Sequence, residues 1–295
     1  FEDRDSRDFS TPVSRKTAVS HIRIDRDGAV GFLTIDRRER MNSLDVETAR
    51  DLRAAGLKLC RDAEVRCLVL RGVPGVFCSG ADLKYIRAGG EEKDLGYLSP
   101  EARPAARGYG AVFKQILEYI HSTISELRRA PKPVVSAVDG VAAAGGLGLA
   151  MAADLVVCSD ASVFEWAYGK TALTGAESST FFLPRLVGLR RALGMAFLNP
   201  RLDAAAAREW GLVSEVFPRA RFDEEVLALA RRLADGPTRS FGVTKQLMNQ
   251  SALGDRLDVH LDRELDELAR IADGADFAEG IDAFFGKRPP RFQGK

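Results

Sequence analysis

Strand-like and helix-like runs alternate along the first half of this chain, and this alternation most strongly restricts the folds open to it. Residues 19–25 and 29–35 are rich in β-branched residues and meet at an Asp-Gly pair, which is a hairpin signal. Apolar residues then recur at helical spacing over 45–61, and a short apolar run follows at 67–70. Strand, helix and strand in this order predict an α/β fold with crossover connections.

The alternation continues to residue 158 and then gives way to helical patterns. The later core elements are predicted as a helix over 112–130, a strand over 133–139, a helix over 145–153 and a strand over 154–158. Beyond 203, helices are predicted over 203–210, 222–235, 238–252, 254–272 and 276–286, with one short strand at 212–216. We therefore expect a flexible extension at 1–18, an α/β core at 19–202 and a helical region at 203–295.

Glycine and proline interrupt all periodicity between residues 86 and 111. So long a break inside a compact domain is typical of a functional loop. The apolar stretch over 140–157 is interrupted by Asp154 and predicts a buried helix and strand, not a membrane span. The N-terminal residues lack the apolar segment of a secretory signal.

Charge and cysteine content exclude several classes of function. The formal net charge of +1 over 295 residues gives no electrostatic argument for nucleic acid or membrane binding. The four cysteines form no CxxC pair, and no histidine stands at metal-ligand spacing from them. We therefore expect reduced thiols in a cytoplasmic protein without a metal site.

Two glycine-containing segments each follow a predicted strand and open a helix. They cover residues 76–84 and 133–148. Glycine lets backbone N–H groups approach a ligand closely, and a helix N-terminus favours negative charge. Two converging N–H donors are what the oxygen of an enolate requires. Either segment alone is equally consistent with a tight turn that binds nothing.

Together, the two segments resemble those of the crotonase (enoyl-CoA hydratase/isomerase) superfamily. The run FCSGADLK at 77–84 is similar to the family pattern F-x-[AS]-G-A-D-[IL]-K, and KPVVSAVDGVAAAGG at 132–146 is similar to its partner segment. The likeness extends over roughly residues 19–292. It implies an α/β crotonase (ClpP/crotonase-like) fold of ββα units, with a helical C-terminal region that builds a homotrimer or a dimer of trimers.

The resemblance also implies which residues bind the substrate. The amides of Ala81 and Gly145 are expected to form an oxyanion hole for an acyl-CoA thioester, with no cofactor beyond the CoA part of that substrate. The residues expected to contact CoA are Ser43, Leu44, Ser79, Gly80, Asp82, Leu83, Phe285 and Lys287. Core packing is the alternative role for Phe285.

The chain departs from the hydratase pattern at both catalytic glutamates of the family. The first of these stands three residues after the oxyanion glycine, which is Gly148 here, and the second aligns with Tyr168. Without these carboxylates, no general acid or base stands where the usual hydration needs one.

Glu177 is the main candidate to replace them, as a base or nucleophile with Tyr168 as its hydrogen-bonding partner. Relatives such as 4-chlorobenzoyl-CoA dehalogenase carry a nucleophilic aspartate that aligns with Ala176, one residue earlier. We expect the N-terminus of the following helix to lower the pKa of Glu177. The alternative is that Glu177 only caps that helix. Trp166 and Tyr168 would then form either an aromatic acyl pocket or part of the core, and Glu165, Lys170 and Ser178 are further candidates.

Three functions remain open at this point. The first is an atypical lyase or isomerase that acts on an acyl-CoA. The second is a CoA-thioester hydrolase, dehalogenase or decarboxylase, with aromatic acyl groups among its substrates. The third is a non-catalytic protein that binds CoA esters.

Overall fold

A computed structural model describes residues 21–91, 109–252 and 275–294. The predicted extension at 1–18 and the predicted helix at 254–272 lie outside these residues. The strands are β1 Ile22–Asp27, β2 Val30–Ile35, β3 Cys67–Arg71, β4 Val76–Cys78, β5 Val134–Val138, β6 Val141–Ala143, β7 Leu155–Ser159, β8 Val163–Glu165, β9 Arg201–Asp203 and β10 Glu215–Phe217. The helices are α1 Val46–Arg61, α2 Leu83–Arg87, α3 Tyr109–Arg129, α4 Gly145–Met151, α5 Ser179–Val187, α6 Leu189–Leu198, α7 Ala204–Glu209, α8 Phe222–Ala234, α9 Thr238–Ala252 and α10 Ala275–Phe285.

The strands form two sheets that the chain builds in alternation. The larger has the order β1-β2-β3-β5-β7-β10 and the smaller β4-β6-β8-β9. The predicted hairpin of β1 and β2 is antiparallel, and the other pairs of the larger sheet are parallel. Each of the pairs β3/β4, β5/β6 and β7/β8 therefore gives one strand to each sheet. The prediction of an α/β fold with crossover connections is confirmed.

The larger sheet is buried on both faces. Leu68 and Leu70 of β3 face the main core, to which α1 and α3 also contribute, whereas Cys67 and Val69 face a second core beneath α8. This alternation follows from the two-residue period of a strand. Helix α1 begins where predicted, because the side chain of Asp45 accepts a hydrogen bond from the Thr48 N–H and caps the helix.

The short strands β4, β6 and β9 were not predicted from the sequence. Each has only three residues, which is too few for a two-residue period to be recognised. Strand β6 stands between the predicted strand at 133–139 and the helix at 145–153, so the chain turns twice there. These extra turns determine the position of Gly145.

Elements beyond residue 203 pack onto the core. Strand β10 pairs with β7, and α8 lies against β2, β3 and β7. Lys245 of α9 forms an ion pair with Asp154 at 2.8 Å, and its ammonium also donates to the Leu127 carbonyl. No helix among the described residues has the length and apolar character that crossing a bilayer requires.

Candidate active site

The two glycine-containing segments lie against each other. Strands β4 and β6 are parallel neighbours, with Val76 opposite Val141. Gly80 has φ +94°, and a Cβ atom at that position would lie 3.0 Å from the Gly145 nitrogen. A side chain at residue 80 would thus be strained and crowded, which explains the glycine.

The amides of Ala81 and Gly145 stand at the point where these segments meet. Ala144, at φ +46°, turns the chain from β6 into α4, so that Gly145 is the first helical residue. Within the described part of the chain, neither the Ala81 nor the Gly145 N–H donates a hydrogen bond to a protein acceptor. Both donors are therefore available to a ligand oxygen.

A buried ion-pair cluster fixes the Ala81 turn, and we call it the Asp82 clamp (Arg37, Arg40, Asn42, Asp45 and Asp82). The Asp82 carboxylate accepts hydrogen bonds from Arg37 Nη1 at 2.8 Å and Arg40 Nε at 3.0 Å. It also caps α2 through two backbone N–H groups. Burial alone would raise the pKa of Asp82, but these hydrogen bonds and the arginine charges outweigh it and lower the pKa to about 2.

No sequence pattern points to Arg37 or Arg40, and none gives Asn42 a structural role. The Asn42 side chain bridges the chain on both sides, accepting from the Arg37 N–H at 2.8 Å and donating to the Val76 carbonyl at 2.9 Å. Arg37 also pairs with Asp45 at 2.5 Å. The partners lie up to 45 residues apart, so no local pattern reveals them.

The residues predicted to contact CoA divide into two groups. The side chains of Ser43, Leu44 and Asp82 are buried, so only their backbone can contact a ligand. Leu83, in contrast, is 48% exposed on α2. Lys287 is exposed beyond α10, and the side chain of Phe285 lies outside the described part of the chain.

Glu177 reaches the other side of Gly145. It is 3% exposed, and both Glu177 (φ +47°) and Ser178 (φ +61°) adopt left-handed backbone conformations, which are costly for residues other than glycine. A Cβ atom on Gly145 would lie 2.7 Å from both Cδ and Oε1 of Glu177. The carboxyl group therefore lies directly against the Gly145 backbone.

Tyr168 is the hydrogen-bonding partner of Glu177. Its hydroxyl lies 2.5 Å from Glu177 Oε2, and Oε1 forms no hydrogen bond with the described residues. Burial raises the pKa of Glu177 to about 6, against the opposing effect of the Tyr168 hydrogen bond. The prediction that the helix lowers this pKa was wrong, because desolvation dominates. Burial and the neighbouring carboxylate raise the pKa of Tyr168 as well.

The other candidate side chains have different roles. Glu165 pairs with Lys170 and accepts a hydrogen bond from Asn199 at 2.9 Å. The Ser178 hydroxyl is buried with no hydrogen-bond partner among the described residues, and Ser178 occupies the N-cap position of α5 without capping it. Glu177 bonds to Tyr168 instead of capping α5. Trp166 is buried and packs edge-on to Tyr168, with 5.1 Å between ring centroids.

The cysteines do not supply a nucleophile here. All four are buried and unpaired. Burial raises the pKa of Cys78, the one on β4 beside the Ala81 turn, to about 12. A thiol in that state is neutral and unreactive.

Comparison with known proteins agrees with this architecture. A sequence profile described as enoyl-CoA hydratase/isomerase matches residues 25–103 and 106–295. The chain is 36% identical over 237 residues to the 1,2-epoxyphenylacetyl-CoA isomerase of Escherichia coli K12, covering 80% of this chain and 84% of that protein. It is 34% identical over 230 residues to 4-chlorobenzoyl coenzyme A dehalogenase-1 of Arthrobacter sp, covering 78% of each.

Solved structures show the same fold. The crystal structure of an enoyl-CoA hydratase from Polaromonas sp. JS666 has a TM-score of 0.80 and 29% identity, covering 92% of this chain and 99% of that one. The enoyl-CoA hydratase from Bacillus anthracis has a TM-score of 0.81 and 25% identity, covering 93% and 100%. The fold is the crotonase fold, and the chain belongs to the enoyl-CoA hydratase/isomerase family.

Proposed function

We propose that this protein moves a proton between carbon atoms of an acyl-CoA thioester, with Glu177 as both acid and base. The amides of Ala81 and Gly145 would bind the thioester oxygen. The observation that carries this proposal is the contact between the Glu177 carboxyl group and Gly145, with Oε1 free of hydrogen-bond partners among the described residues. A base and two oxyanion donors thus converge on one point.

The proposed reaction needs no co-reactant. Glu177 removes a proton from the α-carbon of a 3-enoyl thioester, and the released electron pair forms a dienolate whose negative oxygen lies between the two N–H groups. The protonated Glu177 then returns the proton to the γ-carbon, which leaves the double bond at the 2,3 position. Negative charge passes from the carboxylate to the oxyanion and back, so the net charge of the site stays constant.

The electrostatics of the site suit this role. Burial makes Glu177 a stronger base than an exposed glutamate, and its pKa of about 6 leaves it mostly ionised at neutral pH. Each oxyanion donor of this kind typically contributes about 10²–10³ in rate. Because Glu177 gains a proton as the enolate forms, the two negative charges do not coexist.

Simple hydration is not proposed, because it uses a pair of carboxylates in this family. The first of the two aligned positions is Gly148, where a Cβ atom would lie 2.2 Å from the Glu177 carbonyl oxygen. The backbone of the Glu177 loop, residues 172–178, therefore fills the space that a glutamate at residue 148 would need. The second position is Tyr168, which bonds to Glu177.

The relatives support two versions of this chemistry. The isomerase from E. coli supports an isomerisation of an acyl-CoA. The dehalogenase from Arthrobacter sp supports a second candidate, in which Glu177 attacks the aromatic ring of a halogenated acyl-CoA as a nucleophile and the halide leaves. Water then hydrolyses the resulting aryl ester, which releases the hydroxylated product and regenerates the Glu177 carboxylate. Oxygen labelling separates them: in H₂¹⁸O a nucleophilic Glu177 acquires ¹⁸O during turnover, whereas a base does not.

The test uses 3-hexenoyl-CoA for isomerisation, phenylacetyl-CoA for exchange of α-protons in D₂O, and 4-chlorobenzoyl-CoA for dehalogenation. Glu177→Gln is expected to lower the rate by about 10²–10⁴-fold, with CoA-ester affinity almost unchanged. Glu165→Gln is the matched control, since Glu165 is also buried but paired with Lys170, and it should retain activity. Full activity in Glu177→Gln would refute the proposal. Binding of all three esters without exchange or turnover would favour a non-catalytic protein.

We further propose that the protein assembles as a homotrimer or a dimer of trimers. Leu189, Leu193 and Phe197 recur on one face of α6 and are exposed in the single chain, Phe197 by 77%. Such an apolar face is typical of an interaction surface. A monomer in sedimentation at micromolar concentration would contradict this proposal.

A further inference from the structure

We infer that Tyr168 is a positioning residue, which holds Oε2 of the ionised Glu177 so that Oε1 faces the thioester. Once Glu177 carries the substrate's proton, the Tyr168 hydroxyl turns to the Ala176 carbonyl. This inference rests on the proposed role of Glu177.

The hydroxyl of Tyr168 has one proton and two acceptors within reach. Its oxygen lies 2.5 Å from Glu177 Oε2 and 3.1 Å from the Ala176 carbonyl oxygen. A charged acceptor forms the stronger bond, so the ionised carboxylate takes the proton. When Glu177 is protonated, both acceptors are neutral and this preference is lost. The buried hydroxyl therefore has an acceptor in either state, which avoids the cost of an unsatisfied donor.

The surrounding structure keeps the hydroxyl in place. The Tyr168 ring is buried against Trp166, and the backbone N–H of Tyr168 donates to the Trp166 carbonyl at 2.8 Å. The Leu173 N–H donates to the Tyr168 carbonyl at 3.1 Å. Ser179 Oγ donates to the Ala176 carbonyl at 2.5 Å, which holds the second acceptor near the hydroxyl. Only the O–H direction has to change during the cycle.

Few other groups titrate near this pair. Helix α4, which packs against the Glu177 loop, carries no ionisable side chain. Cys78 of β4 stays neutral because burial raises its pKa to about 12. Asp82 is ionised within its clamp, and Glu165 is paired with Lys170. The acid limb of a pH–rate profile should therefore reflect the protonation of Glu177.

The experiment compares the pH dependence of α-proton exchange from phenylacetyl-CoA in the parent protein and in Tyr168→Phe. The parent acid limb is expected near the Glu177 pKa of about 6. Loss of the hydrogen bond that favours the carboxylate should raise this limb by about one to two pH units, and should lower the rate at pH 7 about two- to tenfold. Incorporation of 3-fluorotyrosine at residue 168 strengthens the donor and should shift the limb downward.

Tyr119→Phe on α3 is the matched control and should leave the limb in place. An unmoved limb in Tyr168→Phe, with lower thermal stability alone, would show that Tyr168 only fills space and would overturn the inference. If Tyr168→Phe does not fold, the fluorotyrosine protein decides: an unmoved limb refutes the inference. Failure of the proposed function is recognised separately, because Glu177→Gln would then stay active.

Discussion

The two sides of Gly145 are built in opposite ways. On one side the Asp82 clamp holds the Ala81 turn with three ion pairs and two capping N–H bonds, centred on the buried Asp82 carboxylate. On the other side, the Glu177 carboxylate has one hydrogen bond to the described residues, and two successive residues adopt left-handed conformations. Several contacts of the clamp fix the same turn, so the clamp holds the backbone geometry at Ala81. The Glu177 loop carries strain and a group poised to change charge, which is typical of a site that performs chemistry.

The sharpest way to separate the two sides is substitution of Gly145 itself. Gly145→Ala keeps the N–H but adds a Cβ atom 2.7 Å from the Glu177 carboxyl group, so it should displace that group and lower proton exchange. Gly145→Pro adds the same crowding and also removes the N–H, and should cost a further factor of about 10²–10³. Equal rates for the two folded variants would show that the Gly145 amide is not an oxyanion donor.

Breaking the clamp should affect stability before chemistry. Asp82→Asn removes the carboxylate that the buried Arg37 and the partly exposed Arg40 share, although Arg37 keeps its pair with Asp45. Loss of one partner of a fully buried pair typically costs about 3–5 kcal/mol, so we expect a loss below that range here. Denaturant unfolding measures this loss. The folded pKa of Asp82 is depressed, so its contribution is present above the unfolded value of 3.8 and is lost as the pH falls toward about 2. An unchanged unfolding midpoint would contradict the role given to the clamp.

The pH dependence of stability that arises from Glu177 is expected to have the opposite sign to that from Asp82. Its folded pKa, about 6, lies above the unfolded value of 4.5, so its contribution is fully present below pH 4.5 and is lost as the pH rises through 6. Glu177→Gln should therefore match the parent's stability near pH 4 and exceed it by on the order of 1–2 kcal/mol at pH 8. Unfolding curves at the two pH values test this. A variant less stable at pH 8 would indicate that Glu177 supports the fold.

The smallest effect is expected on the surface of α2. Leu83→Ser changes an exposed apolar side chain beside the Ala81 turn and should raise KM a few-fold while leaving kcat unchanged, as loss of uniform binding does. Steady-state kinetics with the identified acyl-CoA measure both constants. Ser43→Ala is the control, because its side chain is buried beneath the loop. Equal KM values for both variants would remove Leu83 from the CoA site.

The sequence predicted the secondary structure of the molecule better than the geometry of its candidate site. The hairpin, α1 and those helices of the C-terminal region that lie within the described residues follow periodicity and capping residues, and the structure confirms them. Glu177 was proposed because it is the only acidic residue in the loop that faces the thioester in relatives, and Tyr168 because it aligns with the second glutamate of the hydratases. The inward direction of Glu177 depends on positive φ angles at two residues that usually avoid them, so no propensity indicates it. The pKa of Glu177 was predicted with the wrong sign because desolvation is a property of the packed site.

The alternation of strands between two sheets has a consequence for synthesis on the ribosome. In both sheets the spatial order of the strands is also their order along the chain, so each newly made strand adds to the last edge and none has to insert between earlier ones. Ala81, Gly145, Tyr168 and Glu177 have all been translated before β9 begins, and with them both sheets except their final edge strands. We expect the nascent chain to bring these four residues together while its C-terminal helices are still unmade.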